Sequence, residues 1–139
     1  RSHPYYASNV TCSSPLCSEV RTATSTDPGC SASTCVYGIQ YGDSSFSVGF
    51  FAKDTLSLGS QDAVPDFLFG CGENNQGLFG GSAGLLGLGR NKLSAVSQTA
   101  SKYGTYFSYC LPSKSSSTGH LTFGKGGTVS PLTCCHANI

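Results

Sequence analysis

Charged residues are scarce in this chain, and long apolar runs are absent. Only 11% of the 139 residues are charged, whereas serine and glycine are abundant. Helices favour Glu, Lys, Leu and Ala, so this composition favours short strands joined by turns. No run approaches the roughly 18 apolar residues that a membrane-spanning helix needs. We therefore predict a mainly β protein with one domain over residues 1–139 and no membrane partner.

The sequence also lacks a concentration of positive charge. Its eight basic residues are scattered and leave a net charge of +1. Proteins that hold a phosphate backbone present a stripe or patch of Lys and Arg. We therefore predict that nucleic acid is not a partner. The first ten residues also lack the apolar segment of a signal peptide, so in a secreted protein either the leader has been removed or this is an internal piece.

Cysteine, by contrast, is abundant. Eight cysteines in 139 residues are many for a cytosolic domain and indicate an oxidising compartment. Zinc sites usually combine CxxC pairs with histidines, but His3, His120 and His136 do not flank the cysteines in that pattern. Disulfides are therefore favoured over the alternative of a metal site. We predict neither a metal nor a cofactor.

Half of the cysteines lie in residues 12–35, among Ser, Thr, Pro and Gly. Such a segment has too few apolar side chains to fold by burial alone, and cross-links can replace the missing core. We predict a loop with two disulfides, although three pairings of the four residues remain open. The four cysteines are Cys12, Cys17, Cys30 and Cys35.

The other cysteines lie in the middle of the chain and in its tail. Pairing Cys71 with Cys110 is the economical hypothesis, because they are the only mid-chain cysteines. The adjacent Cys134 and Cys135 cannot readily form an unstrained bridge with each other, so they are free, paired elsewhere or paired between chains. Asn9 begins an Asn-Val-Thr glycosylation sequon, which fits the same oxidising compartment.

Residues 36–58 have the pattern of a β-hairpin. Apolar residues recur at every second position from Phe46 to Ala52, as in a half-buried strand. Tyr41 ends the first arm, and residues 42–45 form a polar turn. An aromatic residue before such a tip suits a mobile cover over a cleft. The alternative is an ordinary hairpin with a tyrosine in its core.

Further short strands are predicted after the hairpin. They are residues 64–69, 83–89, 106–111 and 120–123. Asn74 and Asn75 mark a polar loop. The glycine-rich segment 83–89, AGLLGLG, suits a buried strand that another segment approaches closely. A phosphate-binding loop is disfavoured there, because the third glycine and the lysine of such motifs are missing.

One short helix is predicted between these strands. Leu93, Val96 and Ala100 have helical spacing, which predicts a helix over residues 92–102. Asn91 is a candidate N-cap, because its side chain can accept a hydrogen bond from a free backbone N–H at the helix start. A Tyr-Gly pair ends the helical pattern.

Several segments together resemble one family of enzymes. YGIQYGDSSFSVGFFAKDTLSLG resembles a flap hairpin, and FGCGENNQGLF followed by AGLLGLGRNKLSAVSQ resembles a segment that crosses the middle of a lobe. YFSYCLP and GHLTFG resemble strands near the end of that lobe, and residues 12–35 resemble a cysteine-rich insertion. These are features of plant pepsin-like aspartic peptidases of the nepenthesin and chloroplast nucleoid DNA-binding protease type. The likeness is lost in a divergent tail, residues 128–139.

The resemblance implies a mainly β fold with one short helix, as part of the N-terminal lobe of a two-lobed enzyme. Catalysis in that family uses two aspartates that share a proton and activate a water. Neither of the DTG-type motifs that carry them is present, and Asp54-Thr55-Leu56 lacks the glycine. We therefore assign no catalytic residue to this chain.

The resemblance does assign residues to the flap. Tyr41 matches the family tyrosine that closes over bound peptide. Gly42, Asp43 and Ser44 match the flap tip, whose backbone would meet an extended peptide. In an intact enzyme these residues would position the substrate and exclude water.

The implied function is therefore part of an endopeptidase that acts on peptide or protein substrates but is inactive as this isolated chain. The alternative is a non-catalytic binding or inhibitor protein, because plant relatives with this fold and without the aspartates inhibit fungal xylanases. A secreted, vacuolar or other oxidising location is expected, and the resemblance also suggests the chloroplast. Exposed strands or the tail cysteines could support a dimer.

Overall fold

The computed structural model describes residues 8–125 and the backbone of residues 135–138. One compact unit contains the described residues up to 86 together with 91–93, and a second contains 87–90 and the described residues from 94 onward. Both units are built mainly from antiparallel strands, which confirms the predicted fold class. The described residues form three short helices where we predicted one. None of the helices in the described residues is long and apolar enough to cross a membrane.

The first unit is a five-stranded antiparallel sheet around one long strand. Its strands are β1 (Ser8–Asn9), β2 (Gly29–Ser31), β3 (Thr34–Gln40), β4 (Phe46–Ser57) and β5 (Ala63–Gln76). β4 pairs with β1, β3 and β5. β3 and β4 form the predicted hairpin, in which Gln40 lies opposite Phe46.

β5 is longer than predicted, because its pairing with β4 continues past residue 69. Asn74 lies opposite Val48, so the predicted polar loop begins only after the strand ends. The register shifts after Val48, where Glu73 is the extra residue in β5. Gly49 follows on β4, and a Cβ at this glycine would collide with the β5 backbone. The sheet can therefore bulge here only because position 49 has no side chain.

The predicted loop at residues 12–35 is wrong over most of its length. Its first half forms helix α1 (Pro15–Thr24), and its second half contains β2 and the start of β3. Ser14 is extended, and its Oγ accepts a hydrogen bond from the Leu16 backbone N–H at 3.2 Å. Proline suits the first helical position because its fixed φ is helical and no N–H is needed there. Ser25, with a φ of 58°, ends the helix. The Ser-Pro pair is a local helix signal that the Ser- and Thr-rich composition obscures.

Two disulfides tie α1 and the segment before it to the sheet. Cys12 is bonded to Cys30, and Cys17 is bonded to Cys35, which selects one of the three pairings left open by the sequence. The second bridge is buried and lies in the core of this unit. The core cluster consists of Val10, Cys17, Val20, Cys35 and Phe51.

The predicted bridge between Cys71 and Cys110 is wrong. Cys71 has a free thiol, whereas Cys110 is disulfide-bonded to another residue. The two cysteines belong to different units, since Cys71 lies in β5 and Cys110 ends strand β6 (Tyr106–Cys110). The order of cysteines along the chain does not show to which sheet each belongs.

No strand forms at residues 83–89, contrary to the prediction. Leu85 and Leu86 are 61% and 45% exposed. A strand needs a partner for its backbone hydrogen bonds, and none of the strands in the described part of the chain pairs with this segment. The apolar, glycine-rich sequence is therefore an irregular surface segment in this structure.

The second unit combines two single-turn helices with a three-stranded antiparallel sheet. Its elements are α2 (Ala95–Gln98), α3 (Ala100–Tyr103), β6, β7 (His120–Phe123) and β8 (Cys135–Asn138). β6 is the central strand, between β7 and β8. The two strands predicted around residues 106–111 and 120–123 are therefore confirmed. Most of the tail, residues 128–139, lies outside the described residues apart from the backbone of β8.

The predicted helix over residues 92–102 starts later and is broken. Ser94 caps it, whereas Asn91 accepts a hydrogen bond in the turn before it. At the break, the Thr99 hydroxyl donates to the Ala95 carbonyl at 2.8 Å. A threonine that bonds back to the preceding turn bends a helix, which accounts for the division into α2 and α3.

Candidate functional site

The first unit contains a groove of about 640 Å³ on one face of its sheet. Tyr37, Ile39 and Tyr41 of the β3 arm line it together, because alternate residues of a strand point to the same face. Residues of α1, β4 and β5, the segment 79–85 and Leu93 complete the lining. The volume is within the range of about 300–1,000 Å³ that is typical of ligand pockets.

The four predicted flap residues lie together in the turn between β3 and β4. The Tyr41 backbone N–H donates to the Ser45 carbonyl at 2.8 Å, and the Ser44 N–H donates to the Tyr41 carbonyl at 3.0 Å. Tyr41 lines the groove, whereas Gly42, Asp43 and Ser44 are exposed at the tip. The turn therefore presents one aromatic side chain to the groove and a solvated polar tip beside it.

Asp43 stabilises this turn through its carboxylate. Its Oδ1 accepts a hydrogen bond from the Ser45 backbone N–H at 2.9 Å. That bond favours the ionised form and holds the pKa of Asp43 below its ordinary value. Ser44 has a φ of 68°, a left-handed conformation that the tight turn requires.

Tyr41 is packed against an aromatic partner from the segment after β5. Its ring meets the Phe79 ring edge-on, with centroids 5.9 Å apart and planes at 78°. Burial raises the pKa of Tyr41, so its hydroxyl stays protonated and can donate a hydrogen bond. The sequence indicated Tyr41 but gave no sign of its contact with Phe79.

A chain of hydrogen bonds that sequence reasoning missed lies below the flap. The Tyr37 hydroxyl is 2.6 Å from Ser47 Oγ, which in turn donates to Asn75 Oδ1 at 2.6 Å. Burial raises the pKa of Tyr37 above its ordinary value; the hydrogen bond with Ser47 offsets part of this rise, and the nearby Tyr41, Cys71 and Glu73 add to it. The one local signal for this cluster was the alternation that places Tyr37 on the same face as Tyr41.

One Asp or Glu side chain of the described residues lines the groove. All seven Asp and Glu residues lie within the described range 8–125, and Glu73 is the one that lines the groove. Three others form exposed ion pairs: Asp27 with Arg21, Asp66 with Lys53, and Glu19 with Lys92. An aspartic dyad needs two carboxylates that share a proton. The described residues hold no such pair in the groove.

Asp54, which lies in the string nearest to a DTG motif, and the predicted glycosylation site Asn9 are not among the groove residues. Asp54 lies in β4, and its carboxylate accepts an exposed hydrogen bond from the Thr55 backbone N–H at 2.7 Å. Asn9 is exposed in β1. No group of three or more His, Cys, Asp or Glu residues that could hold a metal ion occurs among residues 8–125.

Known proteins similar to this chain include several plant proteases. An aspartyl protease family protein of Arabidopsis thaliana is 61% identical over 91% of this chain and 26% of its own length. Aspartyl protease AED1 of the same plant is 58% identical over 86% of the chain and 24% of its own length. Aspartic proteinase nepenthesin-1 of Nepenthes gracilis is 43% identical over 84% of the chain and 25% of its own length. No solved structure matches at a significant level.

A family model described as xylanase inhibitor N-terminal matches residues 1–125, which includes the whole flap and groove. The chain spans about a quarter of the length of the curated relatives it matches. The match confirms the family that the flap segment indicated. The chain therefore belongs to the family of the xylanase-inhibitor N-terminal domain and the plant aspartic proteases, and it corresponds to the N-terminal part of these proteins.

Proposed function

We propose that residues 1–139 are one incomplete lobe of a plant aspartic endopeptidase and that an extended peptide lies in its groove beneath Tyr41. The observation that carries this proposal is the position of Tyr41, which lines the groove next to the exposed tip of residues 42–44. Exposed backbone groups can pair with the backbone of a bound strand. The proteases named among the relatives support the same function.

In this proposal the flap binds and covers the substrate. Tyr41 contributes an aromatic ring and a hydroxyl. Burial raises the pKa of this hydroxyl, so it is protonated and can donate a hydrogen bond. Gly42, Asp43 and Ser44 contribute the backbone of the tip. Closure of such a hairpin excludes water from bound peptide and fixes its orientation.

We further propose that this chain alone does not cleave peptide bonds. Its sequence has no DTG-type motif, and Glu73 is the one carboxylate among the groove residues. One carboxylate cannot form the proton-sharing pair that activates water. The test is incubation with denatured casein in mildly acidic buffer, with pepstatin as inhibitor. We expect no cleavage, and cleavage that pepstatin blocks would contradict the proposal.

Peptide binding is tested by titrating the ¹⁵N-labelled chain with an unstructured, apolar octapeptide and recording amide shifts. We expect the shifts to concentrate at residues 41–44 and along the groove. Tyr41→Ala should weaken binding about tenfold, because an aromatic contact is lost. Leu111→Ala is the control, since Leu111 is 77% exposed and belongs to the second unit. Saturating peptide without shifts at the flap would reject the proposal.

A second candidate function is inhibition of a microbial xylanase, because the matching family model carries that description. The protease names of the three relatives favour the first candidate. Measuring xylanase activity at increasing concentrations of this chain distinguishes the two candidate functions. Concentration-dependent inhibition would support the second candidate, and full activity at a large excess would exclude it.

The disulfides support an oxidising compartment, which we propose to be secretory or vacuolar, with the chloroplast as the alternative. Asn9 is exposed and is proposed to carry an N-glycan there. A mass decrease on enzymatic deglycosylation of the plant protein tests the glycan, and an unchanged mass excludes it. Sedimentation with and without reductant tests the dimer through exposed strands or tail cysteines, and a monomer in both conditions excludes it.

A further inference from the structure

We propose that the buried hydroxyls of Ser45 and Ser47 position Tyr41 by tying both sides of the flap to the start of β4. These serines are only 3% and 7% exposed. They act on Tyr41 through other residues, so we assign them a positioning role. Ser47 also lines the groove, so the positioning role is tested first without any ligand. The part of this inference that concerns peptide binding rests on the proposed function.

Ser47 joins three neighbouring strands. A serine has a single hydroxyl proton, and Ser47 donates it to Asn75 Oδ1 of β5. The short contact between Ser47 and Tyr37 of β3 must therefore be donated by the Tyr37 hydroxyl. The Tyr37 hydroxyl carries that proton at neutral pH, because its ordinary pKa is 10.0 and burial raises it. The bonds thus run in one direction, from Tyr37 through Ser47 to Asn75.

This chain fixes the arm that ends in Tyr41. Tyr37 precedes Tyr41 by four residues on the same face of the β3 arm. Its ring lies against Gly70 of β5, where an added Cβ would come 2.5 Å from the ring. The ring thus packs against Gly70, and its hydroxyl is hydrogen-bonded to Ser47. Loss of the hydroxyl bond would leave the base of the flap arm free to shift.

Ser45 ties the other side of the flap. Its Oγ accepts a hydrogen bond from the Leu78 backbone N–H at 3.0 Å. The Leu78 side chain is 84% exposed, so burial does not hold this segment in place. The next residue, Phe79, carries the ring that meets Tyr41. Ser45 therefore determines where the aromatic partner of Tyr41 lies.

Gly77 shows how closely this segment follows Ser45. It has a φ of 114°, and a Cβ there would lie 2.6 Å from the Ser45 Cβ. Only glycine combines that backbone conformation with such a close approach. The strand arm that carries Tyr41 is thus anchored through Tyr37, and the Tyr41 ring packs against Phe79. A serine hydroxyl ties each of these two partners in place.

Amide hydrogen exchange tests the positioning without any ligand. Ser47→Ala should speed exchange of the Tyr41 amide, and Ser45→Ala that of the Leu78 amide, each about tenfold. The Cys35 amide, which donates to the Val10 carbonyl in the core, should not change. Equal acceleration of all three amides, or of none, would overturn the inference, because it would indicate general destabilisation or no role.

Conservative variants keep the test informative if an alanine variant folds poorly. Ser47→Thr retains the hydroxyl, and Asn75→Asp retains the acceptor oxygen, so both should exchange like the natural protein at the flap. Asn75→Leu removes the acceptor and should behave like Ser47→Ala. Fast flap exchange in the conservative variants as well would also overturn the inference.

Peptide titration separates this inference from the proposed function. If the natural chain binds the octapeptide, Ser47→Ala should weaken binding about tenfold, and Ser47→Thr should restore it. If the natural chain binds no peptide, the proposed function fails, and the exchange experiment still decides the positioning role. Equal peptide affinity in Ser47→Ala and the natural chain would overturn the link to binding.

Discussion

Two regions of the first unit are stabilised by different means. The disulfide corner, residues 12–35, has two cross-links, and the buried one lies in the apolar core. The flap region, residues 41–47 with 75–79, has no cross-link and is held by strand pairing and turn hydrogen bonds, by hydrogen bonds of two serine hydroxyls and by one aromatic contact. Its tip and the Leu78 side chain are exposed.

The difference separates a fixed frame from an element that can move. Cross-links restrict the unfolded chain and keep the corner in place whatever its local helix propensity. Individual hydrogen bonds contribute only about 1 kcal/mol each, so the flap can open without unfolding of the core. A cover over a peptide groove has to open and close. The two kinds of stabilisation therefore suit the two tasks.

The largest expected effect comes from removing a cross-link. Both disulfides join residues 18 positions apart, so their loop-closure terms are matched. Each double Cys→Ala variant should lose about 2–4 kcal/mol of unfolding free energy. The Cys17 and Cys35 variant should lose about 1 kcal/mol more, because it also removes buried sulfur atoms from the core. Urea unfolding measures both variants.

The comparison of the two variants tests whether burial matters. Equal losses would show that the core position of the Cys17–Cys35 bridge adds nothing to its cross-link. The ratio of the exchange rates of flap amides, such as that of Leu78, to those of core amides should be the same in both variants as in the natural chain. A selective acceleration at the flap would contradict the independence of the two regions.

A smaller effect is expected at Gly77, inside the flap region. Gly77→Ala forces a side chain into a φ of 114° and against Ser45, which should cost about 1–3 kcal/mol. Gly84→Ala is the matched control, because a Cβ there meets nothing within 4 Å. Thermal unfolding and Leu78 amide exchange measure the effect. Identical behaviour of the two variants would show that the flap tolerates a shift at Gly77.

The comparison also explains how much of this structure the sequence could predict. The hairpin around Tyr41 is local, so alternation and turn residues were enough to predict it. Contacts across β5 are not local: Ser47 and Asn75 are 28 positions apart, and their meeting depends on the register and bulge of β5. The pairing of Cys12 with Cys30 likewise depends on α1, which composition concealed.

The cap of α1 should have an effect of about 1 kcal/mol. Ser14→Ala removes the acceptor for the Leu16 N–H at the helix start and should lower the unfolding free energy by about that amount. Ser18→Ala is the control, because Ser18 is exposed within the helix and alanine favours helices. Urea unfolding with both disulfides intact measures the difference. Equal stability of the two variants would show that the cross-links alone hold α1.

The smallest expected effect is the pH response of the flap tip. The bond from the Ser45 N–H to Asp43 lowers the pKa of the carboxyl below its ordinary value of 3.8. A lowered folded-state pKa means that the bond contributes above the ordinary value and is lost as the pH falls through the lowered one. The turn should therefore stay intact in mildly acidic solution. Asp43 is fully exposed, so the change is confined to the tip.

The Ser45 amide chemical shift reports this titration directly. It should move with a midpoint below pH 3.8 in the natural chain and stay flat in Asp43→Asn, whose neutral amide oxygen still accepts the bond. The Cys35 amide in the disulfide corner should not follow the same curve, because its partner is the Val10 carbonyl. A midpoint at or above 3.8 would show that the bond does not favour the carboxylate, and the tip would then rely on its backbone hydrogen bonds alone.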